Sequence, residues 1–528
     1  MKKSLIIFFV VFCVNAFAQN KQPNIVLIMA DDMGFSDIGS YGSEIKTPNI
    51  DKLSKEGTRL RQCYNNGICA PSRASLLTGQ YPHKAGIGFF NRDLGLPAYQ
   101  GYLNKESLTM GEVLKNGGYN TIMAGKWHVG NEPDKWPLKR GFDKFFGFID
   151  GGLSFWDTKP IMKGALFASN LFEGDKEYGI QPNHYLTDVL TDKALTYLQE
   201  QPKDKPFFLY MAYNSPHWPL HAKPEDIEKY KGNYDLGWDS LRTIRHQNLV
   251  KLGIIDAKFK PLKDQTLPVW GKLTYDEKQF WVKKMEVYAA MVDNLDQNIG
   301  RLLKHLEDTK QLDNTLIVFL SDNGAEDWDF SKLPFAINRS LGAVGTLGSN
   351  ESYTKNWAQL SNMPLRSYKS SPYEGGVSSP FIVRLPKTIP ANTLQQGGIH
   401  IVDLMPTFLE IASVEYPKTL NGITSNALVG ESFISKIKNN SWERKSPMFY
   451  EWSGNKAVWE GKWKAVSNYP ENKWELYDLS NDRTESKNLV KENPLIIEKI
   501  NALYIAWAKA NDVVEWNEQL AAKTGFKK

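Results

Sequence analysis

Two hydrophobic regimes alternate along the chain. Short unbroken apolar runs recur at residues 24–30, 119–124, 207–213 and 315–320, each with the length and β-branched or aromatic content of a buried strand. Between them lie stretches with helical spacing. The clearest spans 274–310, where Met285, Tyr288, Val292, Leu295, Ile299, Leu302 and Leu306 share one face and Thr274 to Glu277 forms a capping box. Strands alternating with helices predict an α/β fold.

The strand ends carry the next signal. The four runs lead into Asp31-Asp32, into Lys126-Trp127-His128, into Asn214-Ser215-Pro216-His217 and into Ser321-Asp322-Asn323-Gly324. One such ending is an ordinary turn or helix cap. Four predict a shared site, because open α/β sheets gather ligands at the carboxyl ends of their strands. Residues 340–361 are rich in Gly, Ser and Asn and predict a long loop. Near residue 435 the pattern changes. Two short strand patterns flank Glu460-Gly461 as a hairpin, 474–479 reads as another strand and 495–510 as a helix. We expect a main domain over 19–435 and a smaller α+β subdomain with an antiparallel sheet over 436–528.

The first residues stand apart. Lys2-Lys3, an apolar run over 5–14 and Ala16-Phe17-Ala18 have the form of a secretory signal peptide ending at residue 18. The apolar run is too short to span a bilayer, which takes about 20 residues. The mature protein is therefore expected outside the cytoplasm, periplasmic or secreted, with no transmembrane segment. A composition of 41% apolar and 12% aromatic residues excludes a disordered chain. A net charge of +5 over 528 residues gives no basic stripe for nucleic acid.

Of three cysteines, only Cys63 and Cys69 follow the signal segment. A bridge between them would close a tight loop of modest value. Pro71-Ser72 predicts a turn and residues 74–77 a following helix. A cysteine at a helix N-terminus beside Arg73 would have a lowered pKa, so on these grounds Cys69 is either a thiolate nucleophile or a buried thiol.

The surrounding pattern is more specific. Cys69-Ala70-Pro71-Ser72-Arg73 with Ala74-Ser75-Leu76-Leu77-Thr78-Gly79 resembles the signature of the type I sulfatases, within the alkaline phosphatase superfamily. A second family signature is Gly118 to Gly130, containing Gly125-Lys126-Trp127-His128. The resemblance runs from Pro23 into the C-terminal part, closing with residues 474–479 and Asn488-Leu489, and residues 234–242 resemble the arylsulfatase-like branch. It implies a large, mixed, mostly parallel sheet sandwiched by helices.

It also implies a chemistry. In this family a separate maturation enzyme reads the Cys-x-Pro-x-Arg stretch and oxidises the cysteine to formylglycine. An aldehyde hydrate carries two hydroxyls on one carbon. One attacks sulfur as the alcohol leaves, and the other expels sulfate as the aldehyde re-forms, a release step that serine or a thiol lacks. Asp31, Asp32, Asp322 and Asn323 offer hard oxygen ligands, and the resemblance implies one calcium ion, with the modified Cys69 completing its shell and magnesium the weaker alternative. By the same resemblance Arg73 and Lys126 stabilise the hydrate and the sulfate. His128 acts as the base, His217 as the acid for the leaving group, and Lys369, before Ser370 to Gly376, binds sulfate beside His217. His221 is a candidate extra substrate contact, and Trp156 or Trp357 a candidate sugar-lining wall. The 325–366 loop is the least family-typical part and is expected to shape substrate choice. His83, His184, His246, His305 and His400 are assigned structural roles.

The expected activity is hydrolysis of sulfate monoesters at the end of a sulfated carbohydrate, with aryl sulfates as surrogates. A phosphonate monoester or phosphodiester hydrolase of the same superfamily is the near alternative. A non-catalytic sulfated-glycan-binding protein is the distant one, disfavoured because a binder needs no acid, base and aldehyde precursor together.

Overall fold

The computed structural model describes residues 22–158, 170–179, 181, 184–332, 342–437 and 444–524. The signal-type segment lies outside the described residues. In chain order the strands are β1 (Asn24–Ala30), β2 (Thr58–Tyr64), β3 (Asn120–Lys126), β4 (Lys144–Phe148), β5 (Leu171–Glu173), β6 (Lys176–Tyr178), β7 (Phe207–Ala212), β8 (Thr315–Ser321), β9 (Phe381–Arg384), β10 (Thr393–His400), β11 (Thr419–Leu420), β12 (Ile423–Thr424), β13 (Met448–Trp452), β14 (Asn455–Glu460), β15 (Trp463–Ser467) and β16 (Trp474–Asp478).

The first ten form one mixed sheet in the order β10-β2-β9-β8-β1-β7-β3-β4-β5-β6. The central block β8-β1-β7-β3-β4 is parallel throughout, whereas β9 and the β5–β6 ribbon run antiparallel to their neighbours. β1 shows why its run is apolar at every position. Val26, Ile28 and Ala30 pack with Met285, Leu295, Leu302 and Leu306 of the helix Tyr275–Asp308. Ile25, Leu27 and Met29 pack on the opposite face with Leu76 and Leu77 of the helix Cys69–Thr78 and Phe408 of the helix Leu404–Ala412. A strand covered on both faces has no polar side to show. Thr274 and Glu277 cap the long helix reciprocally, as the spacing predicts.

β13 to β16 form a separate four-stranded antiparallel meander. Phe449, Val458, Ala465 and Leu476 bury one face against Ile500, Tyr504 and Trp507 of the helix Pro494–Ala510. Tyr450, Ala457, Trp459 and Val466 pack the other against Tyr64 and Ile68, directly behind the Cys69 helix. The contact is also ionic. Glu374 takes Lys464 at 3.0 Å and Arg483 at 3.3 Å, all three side chains being buried.

The expectations for Pro71 and for the 340–361 segment are corrected. Pro71 is not in a turn before a helix, because the helix starts at Cys69. A first-turn proline loses no intrahelical bond, so it is tolerated there. The loop expected over 340–361 contains a helix, Thr354–Ser361, whose Trp357 is fully buried and donates its indole N–H to Trp281 O at 2.8 Å. Trp357 is therefore core and lines no sugar site. Cys63 and Cys69 are both free and buried, so no bridge joins them.

Candidate active site

Strand register assembles the site. Ala30 stands opposite Ser321, Met29 opposite Ala212, and Gly125 opposite Ala212. The residues that follow, Asp31, Asp322, Tyr213 and Lys126, therefore emerge side by side at one end of the sheet. The close spacing of β3 and β7 depends on Gly125, whose φ is +119° and where a Cβ would fall 1.8 Å from Ala212 O.

The buried charges pair with little slack. Lys126 Nζ donates to Asp31 Oδ2 at 2.7 Å. Arg73 directs Nε and Nη2 at Asp322 Oδ2, at 3.1 and 2.8 Å, and Nη1 at Lys126 O at 3.2 Å. Lys369 Nζ lies 2.8 Å from Asp32 Oδ1 and 2.9 Å from Glu326 Oε2. Asn323 Nδ2 donates to Asp32 Oδ1 at 2.7 Å, and Asp32 N to Asp322 Oδ1 at 3.2 Å. His217 Nε2 faces Asp32 Oδ2 at 3.4 Å, while its Nδ1 is tied to Trp218 O at 2.6 Å. That second contact makes Nδ1 the protonated nitrogen and leaves Nε2 for exchange. His128 and Asp32 both adopt positive φ, 60° and 63°.

Burial would raise Asp31 and Asp32, but Lys126 beside Asp31 and Lys369 beside Asp32 hold both below the usual carboxylate range. Asp322 is pushed up by burial and by the Asp31 charge, despite Arg73. His128 is pulled far down by burial and by Lys126 and Arg73, so its imidazole is neutral. Burial lowers His217 too, against the pull of Asp32 and Asp31. Lys369 stays well above its ordinary value, because Asp32 and Glu326 outweigh its burial. Cys69 departs from expectation. Burial raises its thiol although Lys126 and Lys369 pull it down, so the helix-terminus argument for a thiolate fails.

Two buried oxygens in this cluster, Asp31 Oδ1 and Asn323 Oδ1, have no hydrogen-bond partner, although Arg73 Nη2 lies 3.4 Å from Asp31 Oδ1 as an ion pair. An unsatisfied buried acceptor costs about 1–3 kcal/mol. Among the described residues, Asp31, Asp32 and His217 also bring ligand atoms within 4.8 Å of one another. Carboxylate and amide oxygens with spare lone pairs, next to a carboxyl raised by a like charge, fit a hard divalent cation.

The cluster brings together Asp31, Asp32, Arg73, Lys126, His217, Asp322, Asn323 and Lys369, with Cys69 and His128 near enough to feel Lys126 and Lys369, whereas His221, Trp156 and Trp357 lie outside it. Glu326 was missed. It shares Lys369 with Asp32, and nothing about its spacing distinguishes it from a surface glutamate. Asn362 was missed as well. It accepts from Phe35 N and Ala325 N and donates to Ser367 O and Gly375 O, so it cross-braces the loops after β1 and β8 with the loop around Lys369. His221 is buried, with Nε2 at 2.8 Å from Ser349 O, which braces the 345–349 segment. Trp156 is half-buried against Tyr185.

A family model described as Sulfatase matches residues 23–414. The chain belongs to the sulfatase family. A second model, described as N-sulphoglucosamine sulphohydrolase, C-terminal, matches residues 368–503 of this sulfatase. An uncharacterised sulfatase of Schizosaccharomyces pombe is 34% identical, covering 96% of this chain and 97% of its own. An arylsulfatase of Klebsiella aerogenes is 35% identical, over 80% of this chain and 94% of its own. Among solved structures, Ps i-CgsB in complex with k-i-k-neocarrahexaose superposes with a TM-score of 0.71 at 27% identity, over 95% of this chain and 97% of that one. The protein is thus a sulfuric ester hydrolase, and its mixed sheet with a C-terminal antiparallel sheet is the fold of its relatives. No helix among the described residues is long and apolar enough to cross a membrane.

Proposed function

We propose that this sulfatase removes sulfate from a sulfated carbohydrate outside the cytoplasm, using residue 69 as formylglycine and one bound calcium ion. The observation that carries the reading is the convergence of Cys69, Arg73, Lys126, His128, His217 and Lys369 on the buried Asp31, Asp32, Asp322 and Asn323. The bound oligosaccharide in the Ps i-CgsB structure supports a carbohydrate substrate, and the Klebsiella relative supports aryl sulfates as surrogates. The signal-type segment at residues 1–18 supports export. The division into 19–435 and 436–528 is retained with the proposal.

Asp31, Asp32, Asp322 and Asn323, with residue 69, would hold the ion. When bound, it supplies Lewis acidity toward the nucleophile and the sulfate oxygens. The cysteine Sγ marks the position of the formylglycine carbon substituents, whose paired hydroxyls supply a nucleophile with its own release step. Lys126 and Arg73 are held against Asp31 and Asp322, so their charges are oriented before substrate arrives. Lys369, anchored by Asp32 and Glu326, offers its ammonium to a sulfate oxygen. Neutral His128 has a buried Nδ1 with no hydrogen-bond partner and can accept a proton from residue 69. His217, with Nδ1–H on Trp218 O, carries a second proton at Nε2 as the imidazolium that Asp32 and Asp31 favour, and delivers that proton to the leaving oxygen, returning to neutral imidazole. Cys69 lies buried in a helix, so the maturation enzyme must reach the Cys69–Arg73 stretch before that helix packs.

The test is peptide mass spectrometry of residue 69 in active protein from its own host. A loss of about 18 Da from cysteine, the exchange of CH2-SH for CHO, is expected. An unmodified thiol in fully active protein overturns the mechanism.

A further inference from the structure

Away from the catalytic cluster, the edge strand β10 departs from regular pairing with β2. Gln395 stands opposite Leu60 and Gly398 opposite Gln62, so Gln396 and Gly397 together face the single residue Arg61. A bulge of this kind re-aims the side chain beside it. Arg61 donates from Nη1 to Gln396 Oε1 at 2.7 Å, while its buried Nε has no hydrogen-bond partner. It borders a cavity of about 480 Å³ between this sheet edge, the 254–259 segment and the C-terminal sheet.

The charge of that cavity is one-sided. Arg61, Lys258, Arg444, Lys462 and Arg483 line it, with Asp256 as the acid. Three of the cations are committed, Lys462 to Asp478 at 2.8 Å, Arg483 to Glu374 at 3.3 Å, and Arg444 to Asp403. Among the described residues, Arg61 and Lys258 form no salt bridge. Lys258 Nζ donates to neutral oxygens, Ser480 O at 3.0 Å and Asn481 Oδ1 at 3.2 Å. Burial and the Arg483 charge pull the Arg61 pKa down against the pull of Asp256, and an added anion would offset the Arg483 repulsion.

The remaining wall mixes the polar Gln62, Ser446 and Ser480 with the apolar Phe259, Met448 and Trp459. Phe259 is half-buried and lines the cavity with Gly397 and Gly398, with Lys258 Nζ over one face of its ring at 5.2 Å from the centroid. At Gly398 a Cβ would approach the Tyr64 ring at 3.0 Å, so the strand comes close there because it carries no side chain. A guanidinium fork matches an oxyanion bidentately, and an aromatic face takes the apolar face of a sugar ring.

We propose that this cavity is a second binding site, sharing no residue with the catalytic cluster, for an anionic group carried on a saccharide. The saccharide part rests on the sulfatase reading above. The test uses the full chain with Cys69→Ala, so that turnover cannot consume the probe, titrated with dextran sulfate, neutral dextran and inorganic sulfate. In that background R61Q/K258Q is expected to weaken dextran sulfate binding at least tenfold, and Gln396→Glu, which sets a carboxylate beside Arg61, to weaken it as well. A control at two exposed lysines elsewhere, K203Q/K272Q, is expected to leave it unchanged. Neutral dextran should not bind, and inorganic sulfate should bind far more weakly per sulfate group. In the chain with Cys69 intact, R61Q/K258Q should leave turnover of a small aryl sulfate unchanged. Equal loss in the control pair, unchanged affinity in R61Q/K258Q, or inorganic sulfate matching the polymer would overturn the proposal. Absence of aryl sulfate turnover in the otherwise unaltered protein would instead count against the catalytic reading alone, since the binding arms do not depend on it.

Discussion

Lys126 Nζ and Asp31 Oδ2 lie 2.7 Å apart with both side chains fully buried. Neither charge can reach water, so Lys126 depends on Asp31, and Asp31 on Lys126 together with Arg73 Nη2 at 3.4 Å. Breaking such a pair by removing one partner costs about 3–5 kcal/mol. Lys126→Ala should lower the urea midpoint accordingly and abolish sulfate release. A variant that keeps wild-type stability would show that the pair is not the anchor described.

Cys69→Ala removes one buried sulfur from the start of a helix and nothing from the ion pairs around it. Turnover of an aryl sulfate should fall on the order of ten-thousand-fold or more, while thermal unfolding shifts by no more than about 1–2 kcal/mol. Sulfate release near the wild-type rate would remove residue 69 from the mechanism.

Removal of divalent metal should destabilise as well as inactivate. With chelator, Asp31 Oδ1 and Asn323 Oδ1 return to being unsatisfied and the like charges of Asp31 and Asp322 face each other. A cation present at a hundred times its Kd contributes about 3 kcal/mol. Calorimetry should therefore give a lower Tm in chelator, restored by calcium. A Tm indifferent to chelator and calcium would exclude a resident ion.

His400 makes stability depend on pH. Burial, with Arg444 nearby, pulls its pKa down to about 3. A depressed histidine contributes stability that is complete above its ordinary value near 6.5 and is lost as pH falls toward 3. By pH 5 about 2 kcal/mol of that contribution should be gone, at 1.4 kcal/mol per pH unit. Urea titrations at pH 7.5 and pH 5 should show a smaller loss for His400→Asn than for wild type. Equal losses would place the acid sensitivity elsewhere.

Gly125→Ala tests the packing of β3 on β7. The added carbon meets Ala212 O at 1.8 Å, a backbone atom that cannot swing away, at a φ of +119°. The variant should unfold or lose at least about 3 kcal/mol. Normal folding would mean that the two strands can separate locally.

Much of this protein is determined by its sequence alone. Unbroken apolar runs placed β1, β3, β7 and β8, and period-3.6 patterning placed the long helix after Thr274, because a strand covered on both faces is apolar throughout and an amphipathic helix shows its apolar residues at fixed intervals. The polar residues at the strand ends predicted one site, since parallel neighbours bring their carboxyl ends together. The Cys69 and Lys126 motifs identified the family because their residues are contiguous. Other features were decided only in three dimensions. The charge state of Cys69 depends on burial against the helix environment, and burial prevails. Glu326 joins the site only because its loop folds back to Lys369, and Trp357 enters the core because residues 354–361 coil into a helix. The Arg61 cavity needs a slip in register between strands more than 330 residues apart in the chain. Local pattern governs local structure, whereas the field at a buried charge is a sum over groups that only the completed fold brings within reach.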